Sequence, residues 1–391
     1  MPKFRPETQV IHAGQTEPIR GAVVTPIFQS STYAYRGDDP GETLRYIRYS
    51  NTPSHEVLNR KLAALEEGEA AMVTASGMAA ISATLLAVLG AGDHLLIQDT
   101  LYGGTAAFVD HDLPRLGIAV SKFDARRPED LPALVRPTTR AIYTEALSNP
   151  LVQVPAHDAI VAFAREHGLL SIIDSTFATP INFQPLPFGY DLVLHSCTKY
   201  LNGHDDVVAG AVVGSAERVD AVTGRLKHLG GSLDPHACYL LERGIKTLAL
   251  RVAQQNRSAA HLAAELEGHP AVDAVHYPGL ESHPDHQRGR AWFRGFGGVL
   301  ALELKGGAAA AASFLAGLEL ATAAPSLGGV ETLVSRPMLT SHASMQADER
   351  RRLGIGDGMV RISVGIEDPA DLLADFHQAL QSIEAPIPAM A

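Results

Sequence analysis

Cysteine is nearly absent: Cys197 and Cys238 are the only two in 391 residues, at a spacing that suits neither a disulfide framework nor a zinc site. Positive charge is in deficit, with 32 Lys and Arg against 43 Asp and Glu and a net charge of -11. That balance argues against a protein living on the phosphate backbone of nucleic acid, which calls for a basic footprint. No apolar run reaches the length needed to span a bilayer, and Met1-Pro2-Lys3-Phe4-Arg5-Pro6-Glu7 lacks the apolar core of a signal peptide. A soluble, cytoplasmic chain without membrane or nucleic-acid partners is expected. Internal repeats and low-complexity tracts are missing too, the alanine run Ala308 to Ala312 being short enough for plain helix.

What remains is ordinary enzyme material, 46% hydrophobic and 19% charged, in a chain long enough for a large and a small domain. Apolar runs at Ala70 to Val73, His94 to Gln98, Ile118 to Phe123, Ala141 to Thr144, Leu169 to Ile173, Leu192 to Leu194 and Val207 to Val213 alternate with helical stretches. Several lack a polar alternate, as strands covered on both faces must. The pattern predicts an α/β fold with a mainly parallel sheet between helices. Residues 1–53, rich in Gly, Pro and hydroxyls, read as an extended arm, 54–245 as the large domain, and 246–391 as a linking helix and small domain. A helical pattern from Pro235 to Glu267 joins the last two. In the small domain Gly298 to Leu304 and Met359 to Ile366 read as strands, with Ala308 to Ala316 and Asp371 to Leu380 as helices.

Sheets of this class collect ligands at the carboxyl ends of their strands, and polar residues cluster there. Asp174 closes one apolar run; a buried carboxylate needs a partner, and a protonated ring nitrogen is one. A simple cap of the turn at Ser175-Thr176 is the alternative. Lys199 follows the next run with Ser196 and Thr198 beside it, an amine suited to a Schiff base next to two hydroxyls suited to a phosphate. Cys197, between those hydroxyls, reads as a core residue facing the other way. Gly77 and Met78 open a helix whose N-H groups and dipole suit an anion, although Ser76 is also an ordinary N-cap. Together these are the parts that hold pyridoxal 5'-phosphate (PLP).

Arg48 offers a fork for a phosphate and Tyr102 a ring to stack on a heterocycle, but a loop arginine and a core tyrosine are the simpler reading of each alone. Arg361, a charge in an apolar strand, needs a carboxylate: that of a substrate, with Ser326 assisting, or that of a residue such as Glu367. Ser196-Cys197-Thr198-Lys199 also spells S-x-x-K, but the K-T-G strand of β-lactamases is missing, since Lys246-Thr247 is followed by Leu248. His276, His283 and His286, the densest histidines, lack metal-site spacing and read as loop residues.

Tyr46-Ile47-Arg48 with Asn51, Ala75 to Ala80, Tyr102 to Thr105, Ser148-Asn149-Pro150, Asp174 to Phe177, Ser196 to Gly203, Ser326 to Gly329 and Arg361 to Gly365 occur in the order found in one family. In these the chain resembles the Cys/Met metabolism family of PLP enzymes, the trans-sulfuration group, nearly end to end. The resemblance implies the fold type I, aspartate aminotransferase-like architecture and a homotetramer of two catalytic dimers, with the arm lending Tyr46 and Arg48 to the neighbouring subunit's phosphate. It implies Lys199 as the Schiff-base lysine, Asp174 on the pyridine nitrogen with Thr176 adjoining, Tyr102 on the ring and as proton shuttle, and Asn149 near the phenolic side. Gly77, Met78, Ser196 and Thr198 would hold the phosphate, and Ser326 with Arg361 the substrate carboxylate. The substrate would be a small sulfur amino acid.

Departures from the family pattern bear on substrate. Ala106-Ala107-Phe108 stands where cystathionine-handling relatives usually show an arginine, Pro325 where many carry a glutamate, and Gly104 where methionine γ-lyases usually carry a cysteine. Ser341-His342-Ala343-Ser344 is closer to plant-type cystathionine β-lyases. A β- or γ-eliminating carbon-sulfur lyase, a γ-replacement synthase and a PLP-binding protein without turnover all stay open at this point.

Overall fold

The apolar runs between residues 70 and 214 form seven strands in the computed structural model, which describes residues 4–15, 17–35, 37, 44–343 and 345–384. Ser344 and part of the 1–53 arm lie outside the described residues. The strands are β1 (Ala70–Thr74), β2 (His94–Gln98), β3 (Ala119–Phe123), β4 (Thr139–Glu145), β5 (Leu170–Asp174), β6 (Leu192–His195) and β7 (Gly210–Gly214), in the order β1-β7-β6-β5-β4-β2-β3. Pairing is parallel from β3 through β6, while β7 runs antiparallel to both its neighbours. β2, β6 and β7 are buried throughout, their apolar centres covered on both faces and His94, Gln98 and His195 buried with them.

The chain divides into two compact units. One comprises Met1–Asp99, Thr105–Ala146 and Ala156–Ala249 and holds this sheet; the other comprises Thr100–Gly104, Leu147–Pro155 and Leu250–Ala391. The second unit carries β8 (Val272–His276), β9 (Val299–Leu304), β10 (Thr322–Ala323), β11 (Leu333–Ser335) and β12 (Met359–Ser363), in the order β10-β11-β12-β9-β8. Its core gathers Leu300, Leu302, Val360 and Ile362 from the sheet with Phe314 and Phe376 from the helices Gly307–Gly317 and Pro369–Glu384. Both helices were predicted by periodicity; β8, β10 and β11 carried too short or too mixed a pattern to be read.

Three sequence expectations are corrected. The helical pattern from Pro235 to Glu267 is two helices, Pro235–Ile245 and Leu248–Leu266. Thr247 bonds to the carbonyl of Gly244 through both its N-H and its hydroxyl, drawing that carbonyl out of the helical ladder. The strand expected from Val207 starts at Gly210, because Thr198 engages the backbone N-H and carbonyl of Ala209. The arm is not extended throughout: Pro6–His12 is a helix, with proline in its first turn. The buried Lys61 ammonium donates to the carbonyls of Val10 and Ile11, 3.0 Å each, capping that helix. No described helix is long and apolar enough to cross a membrane.

Candidate active site

In the first unit the sequence-predicted residues converge on the carboxyl ends of β1, β5 and β6. The helix Gly77–Val88 follows β1 directly, and Ser76 caps it by accepting the Ala79 N-H at 3.0 Å. Helix geometry leaves the N-H groups of Gly77 and Met78 without intrahelical acceptors. The helix end lies against Ser196, since a Cβ added to Gly77 would sit 2.8 Å from the Ser196 Cβ. Only glycine permits this approach, so a hydroxyl and two N-H donors lie close together at the positive end of a helix dipole.

Asp174 ends β5, with Leu194 of β6 as its register partner, so Ser196 follows two residues beyond that partner on the adjacent strand. Burial pushes the Asp174 carboxyl above the usual carboxylate range, while the N-H and hydroxyl of Thr176 and the charge of His195 pull it back. Both Thr176 bonds go to Oδ1. The turn cap and the buried carboxylate, posed above as alternatives, are thus both present. Thr176 also accepts the Ser196 N-H at 2.8 Å, tying the ends of the two strands together. Lys199 lies in the turn after β6, its N-H bonded to the Ser196 carbonyl at 3.1 Å. Cys197 is fully buried, as expected, and burial raises its thiol far above the usual range.

Two predicted phosphate groups have other partners in the single chain. The Thr198 hydroxyl donates to the Ala209 carbonyl at 3.2 Å. Arg48 donates to the Lys227 carbonyl at 2.7 Å and lies over the rings of Tyr46 and Tyr49. Tyr46 is 37% exposed, its N-H bonded to Asn51 Oδ1 at 3.1 Å.

In the second unit Arg361 of β12 meets two other residues picked from the sequence. It is buried, and donates from Nη1 to Asn149 Oδ1 at 3.2 Å and from Nη2 to the Ser326 carbonyl at 2.7 Å. Ser326 has φ +92°, a strained value for a non-glycine residue, and strain of this kind is retained where a site needs it. Glu367, the structural partner considered for Arg361, instead accepts from the N-H and hydroxyl of Thr332. Tyr102 is 46% exposed. The turn after it is pressed on Ser341, since a Cβ at Gly103 would lie 2.2 Å from the Ser341 carbonyl oxygen.

The donor set fits PLP: a helix N-terminus and a serine for a phosphate dianion, a buried carboxylate for a ring nitrogen, and a lysine for an aldehyde. Residues 7–381 match the family model described as Cys/Met metabolism PLP-dependent enzyme. The chain belongs to that family. It is 40% identical to an L-methionine gamma-lyase of Fusobacterium nucleatum subsp. polymorphum, over 97% of this chain and 99% of the relative. It is 42% identical to a cystathionine gamma-lyase of Bacillus subtilis, over 97% and 100%. A crystal structure of cystathionine gamma synthase from Xanthomonas oryzae pv. oryzae, in complex with aminoacrylate and cysteine, superposes with a TM-score of 0.93 at 37% identity, covering 97% of this chain and 99% of that one. Membership of this PLP-dependent family shows the fold type I architecture, and PLP is the cofactor.

Several groups at these sites escaped the sequence reading. His195 and Glu66, 129 residues apart, form a pair at 2.5 Å with each side chain only 1% exposed. Glu66 in Leu65-Glu66-Glu67-Gly68 looks like surface charge; only the apolar run leading into His195 hinted at burial. His342 is buried, and burial with the charges of Arg361 and Arg350 pushes it down to about 4, so it is neutral at pH 7. The histidines read as loop residues are corrected as well: His276 closes β8 and burial pushes it down to about 4, while His286 opens the helix His286–Trp292 and bonds to the Pro278 carbonyl. Only His283 of the three lies in a turn, where its Nδ1 accepts the Asp285 N-H.

Gly77→Ala is expected to weaken PLP binding about 10- to 100-fold, the cost of overpacking a methyl against Ser196 at ~1–3 kcal/mol. Fluorescence titration of the cofactor-free protein measures this, and unchanged affinity contradicts the cradle.

Proposed function

We propose that this PLP enzyme is a carbon-sulfur lyase, removing a sulfur-bearing group from Cβ or Cγ of cystathionine or a smaller thioether amino acid. The observation that carries the reading is the delivery of Asp174 and the Ser196–Lys199 turn by two adjacent parallel strands, in register at Asp174 and Leu194. Gamma-lyase names among relatives of about 40% identity support elimination.

Bound PLP supplies an electron sink for the bonding pair left when the Cα proton departs. Lys199 would hold the cofactor through its amine, and that amine, when free, would be the base that takes the Cα proton. Asp174 holds the ring nitrogen protonated, and Thr176 fixes the carboxylate by occupying Oδ1. Gly77, Met78 and Ser196 bind the phosphate, joined by Thr198 when its hydroxyl exchanges the Ala209 carbonyl for the anion. Arg361 and Ser326 would receive the substrate α-carboxylate, with Asn149, bonded to Arg361, orienting that guanidinium. Tyr102, half exposed, would offer its ring to the cofactor and its hydroxyl as a proton donor to the leaving group.

Tyr46 and Arg48 act on the phosphate of a neighbouring subunit, in a cytoplasmic homotetramer built from two catalytic dimers. Ile19, Val23, Val24, Ile27 and Tyr35 on the arm are exposed, which suits apolar contact with a second subunit.

The γ-replacement synthase is the second reading, supported by the gamma synthase fold match. Incubation with L-cystathionine, L-methionine and O-acetyl-L-homoserine plus a thiol separates the two. Release of 2-oxobutanoate or pyruvate from the thioether substrates is expected; a thioether product without oxo acid assigns the synthase, and no turnover of any of them leaves a PLP-binding protein. Ala106-Ala107-Phe108 and Pro325 favour a substrate without a second charged end.

A further inference from the structure

The turn carrying Tyr46 and Arg48 is held from outside itself. Ile47–Tyr49 is a single 3-10 turn with no buried residue, and Ser50 leaves it at φ +54°, a left-handed value that serine keeps only where its surroundings impose it. Inside the turn, the Ser50 N-H donates to the Ile47 carbonyl at 3.0 Å. That carbonyl also accepts the Ser232 hydroxyl at 2.5 Å, from 185 residues along the chain. Arg48 adds a second tie to the same stretch, using one of its guanidinium donors on the Lys227 carbonyl in the last turn of the helix Ala216–Leu229.

Ser232 is itself fixed on both sides. The carbonyl before it, of Gly231, accepts the Ala75 N-H at 2.7 Å, and the carbonyl after it, of Leu233, lies 2.8 Å from His55 Nε2. A carbonyl only accepts, so Nε2 carries the proton. Burial lowers the His55 pKa, so the ring is neutral at pH 7 and its Nδ1 accepts the Thr52 hydroxyl at 2.7 Å. Ala75 precedes Ser76, the N-cap of the helix Gly77–Val88, and His55 lies in the first turn of the helix Pro53–Glu66. Gly231 to Leu233 is thus a bracket anchored at two helix starts, and Ser232 presents its hydroxyl from the middle of it.

We propose that Ser232 is a positioning residue for PLP in the neighbouring subunit: its hydroxyl holds the Ile47 carbonyl and so sets Tyr46 and Arg48 for that subunit's phosphate, a role that rests on the reading of Tyr46 and Arg48 proposed above. Without the hydroxyl the Ile47 carbonyl keeps the Ser50 N-H alone, and the turn must be ordered when the anion binds, which lowers affinity. Tyr46 and Arg48 address the phosphate, so the loss falls on PLP and spares pyridoxal, which lacks that group.

The test compares cofactor-free wild type with Ser232→Ala, which removes the hydroxyl, with Ser232→Thr, which keeps it, with Tyr46→Phe and Arg48→Ala combined, and with all three of Tyr46→Phe, Arg48→Ala and Ser232→Ala together. Alanine fits within the volume of serine, so Ser232→Ala is expected to fold. Each protein is titrated with PLP and with pyridoxal, followed by the absorbance near ~420 nm. Ser232→Ala is expected to bind PLP about tenfold more weakly, the scale of one lost hydrogen bond, with its pyridoxal affinity within about twofold of the wild type. Ser232→Thr restores PLP affinity. In the background of Tyr46→Phe and Arg48→Ala, Ser232→Ala is expected to change PLP affinity no further, because the hydroxyl acts only through those two residues. An unchanged PLP affinity in Ser232→Ala, equal losses for PLP and pyridoxal, Ser232→Thr as weak as Ser232→Ala, or an undiminished loss in the triple variant overturns the proposal. If Tyr46→Phe with Arg48→Ala binds PLP as the wild type does, the phosphate role of the arm falls and that of Ser232 with it, so the two failures are distinguishable.

Discussion

Lys199→Ala is expected to lower turnover by at least about 10⁴-fold, because it removes both the covalent attachment of PLP and the base that takes the Cα proton. The fold is expected to survive. Lys199 contributes its backbone to the turn after β6, with its N-H on Ser196 and its carbonyl accepting the Gly203 N-H at 2.8 Å, and alanine keeps both bonds. The variant is therefore expected to unfold within a few degrees of the wild type when both are cofactor-free, and still to take up PLP without the ~420 nm band. Steady-state oxo acid release, circular dichroism and absorbance measure the three properties. Turnover at ordinary rates would refute the assignment of the lysine.

Asp174→Asn has the next largest expected effect, roughly a 10²- to 10³-fold loss in turnover, the scale of removing one preorganised electrostatic contact in a buried site. The Thr176 bonds to Oδ1 persist in the amide, so the change isolates the charge. A pH dependence follows from the direction of the shift. Because burial raises the Asp174 carboxyl, the cofactor-free fold binds that proton more tightly than the unfolded chain does. This contribution to stability is fully present below the ordinary carboxylate range and is lost as pH rises through the raised value. A protonated ring nitrogen compensates the bare carboxylate on the alkaline side, so stabilisation by PLP is expected to grow from pH 4 toward neutrality. In Asp174→Asn that growth is expected to flatten, as measured by thermal shifts with and without PLP. A variant whose stabilisation keeps the wild-type pH profile would contradict the charge on Asp174.

The candidate residues visible in the sequence were those at strand ends and a charge within an apolar strand. Asp174 and Lys199 each close an apolar run, Gly77 opens a helix directly after β1, and Arg361 is a charge in an otherwise apolar strand. Local pattern pointed to the first three because the ends of strands in a parallel sheet are where folds of this class collect ligands. What pattern did not reach is pairing over long separations. The bond between Arg361 and Asn149 spans 212 residues, and that between His195 and Glu66 spans 129. Glu66 reads as surface charge until the helix Pro53–Glu66 is packed against the sheet. In the same way, Lys61 sits in an amphipathic helix with nothing to mark it as the cap of the arm's first helix, which is why the arm read as extended. The break at Lys246-Thr247 was missed because a threonine hydroxyl competing for a backbone carbonyl leaves helical periodicity intact.

Borohydride reduction of the holoenzyme, followed by proteolysis and mass spectrometry, tests most directly that PLP is joined to Lys199. A reduced pyridoxyl phosphate adduct on the peptide carrying Ser196-Cys197-Thr198-Lys199 is expected. An adduct on another lysine such as the buried Lys61, or none on any peptide, would contradict it.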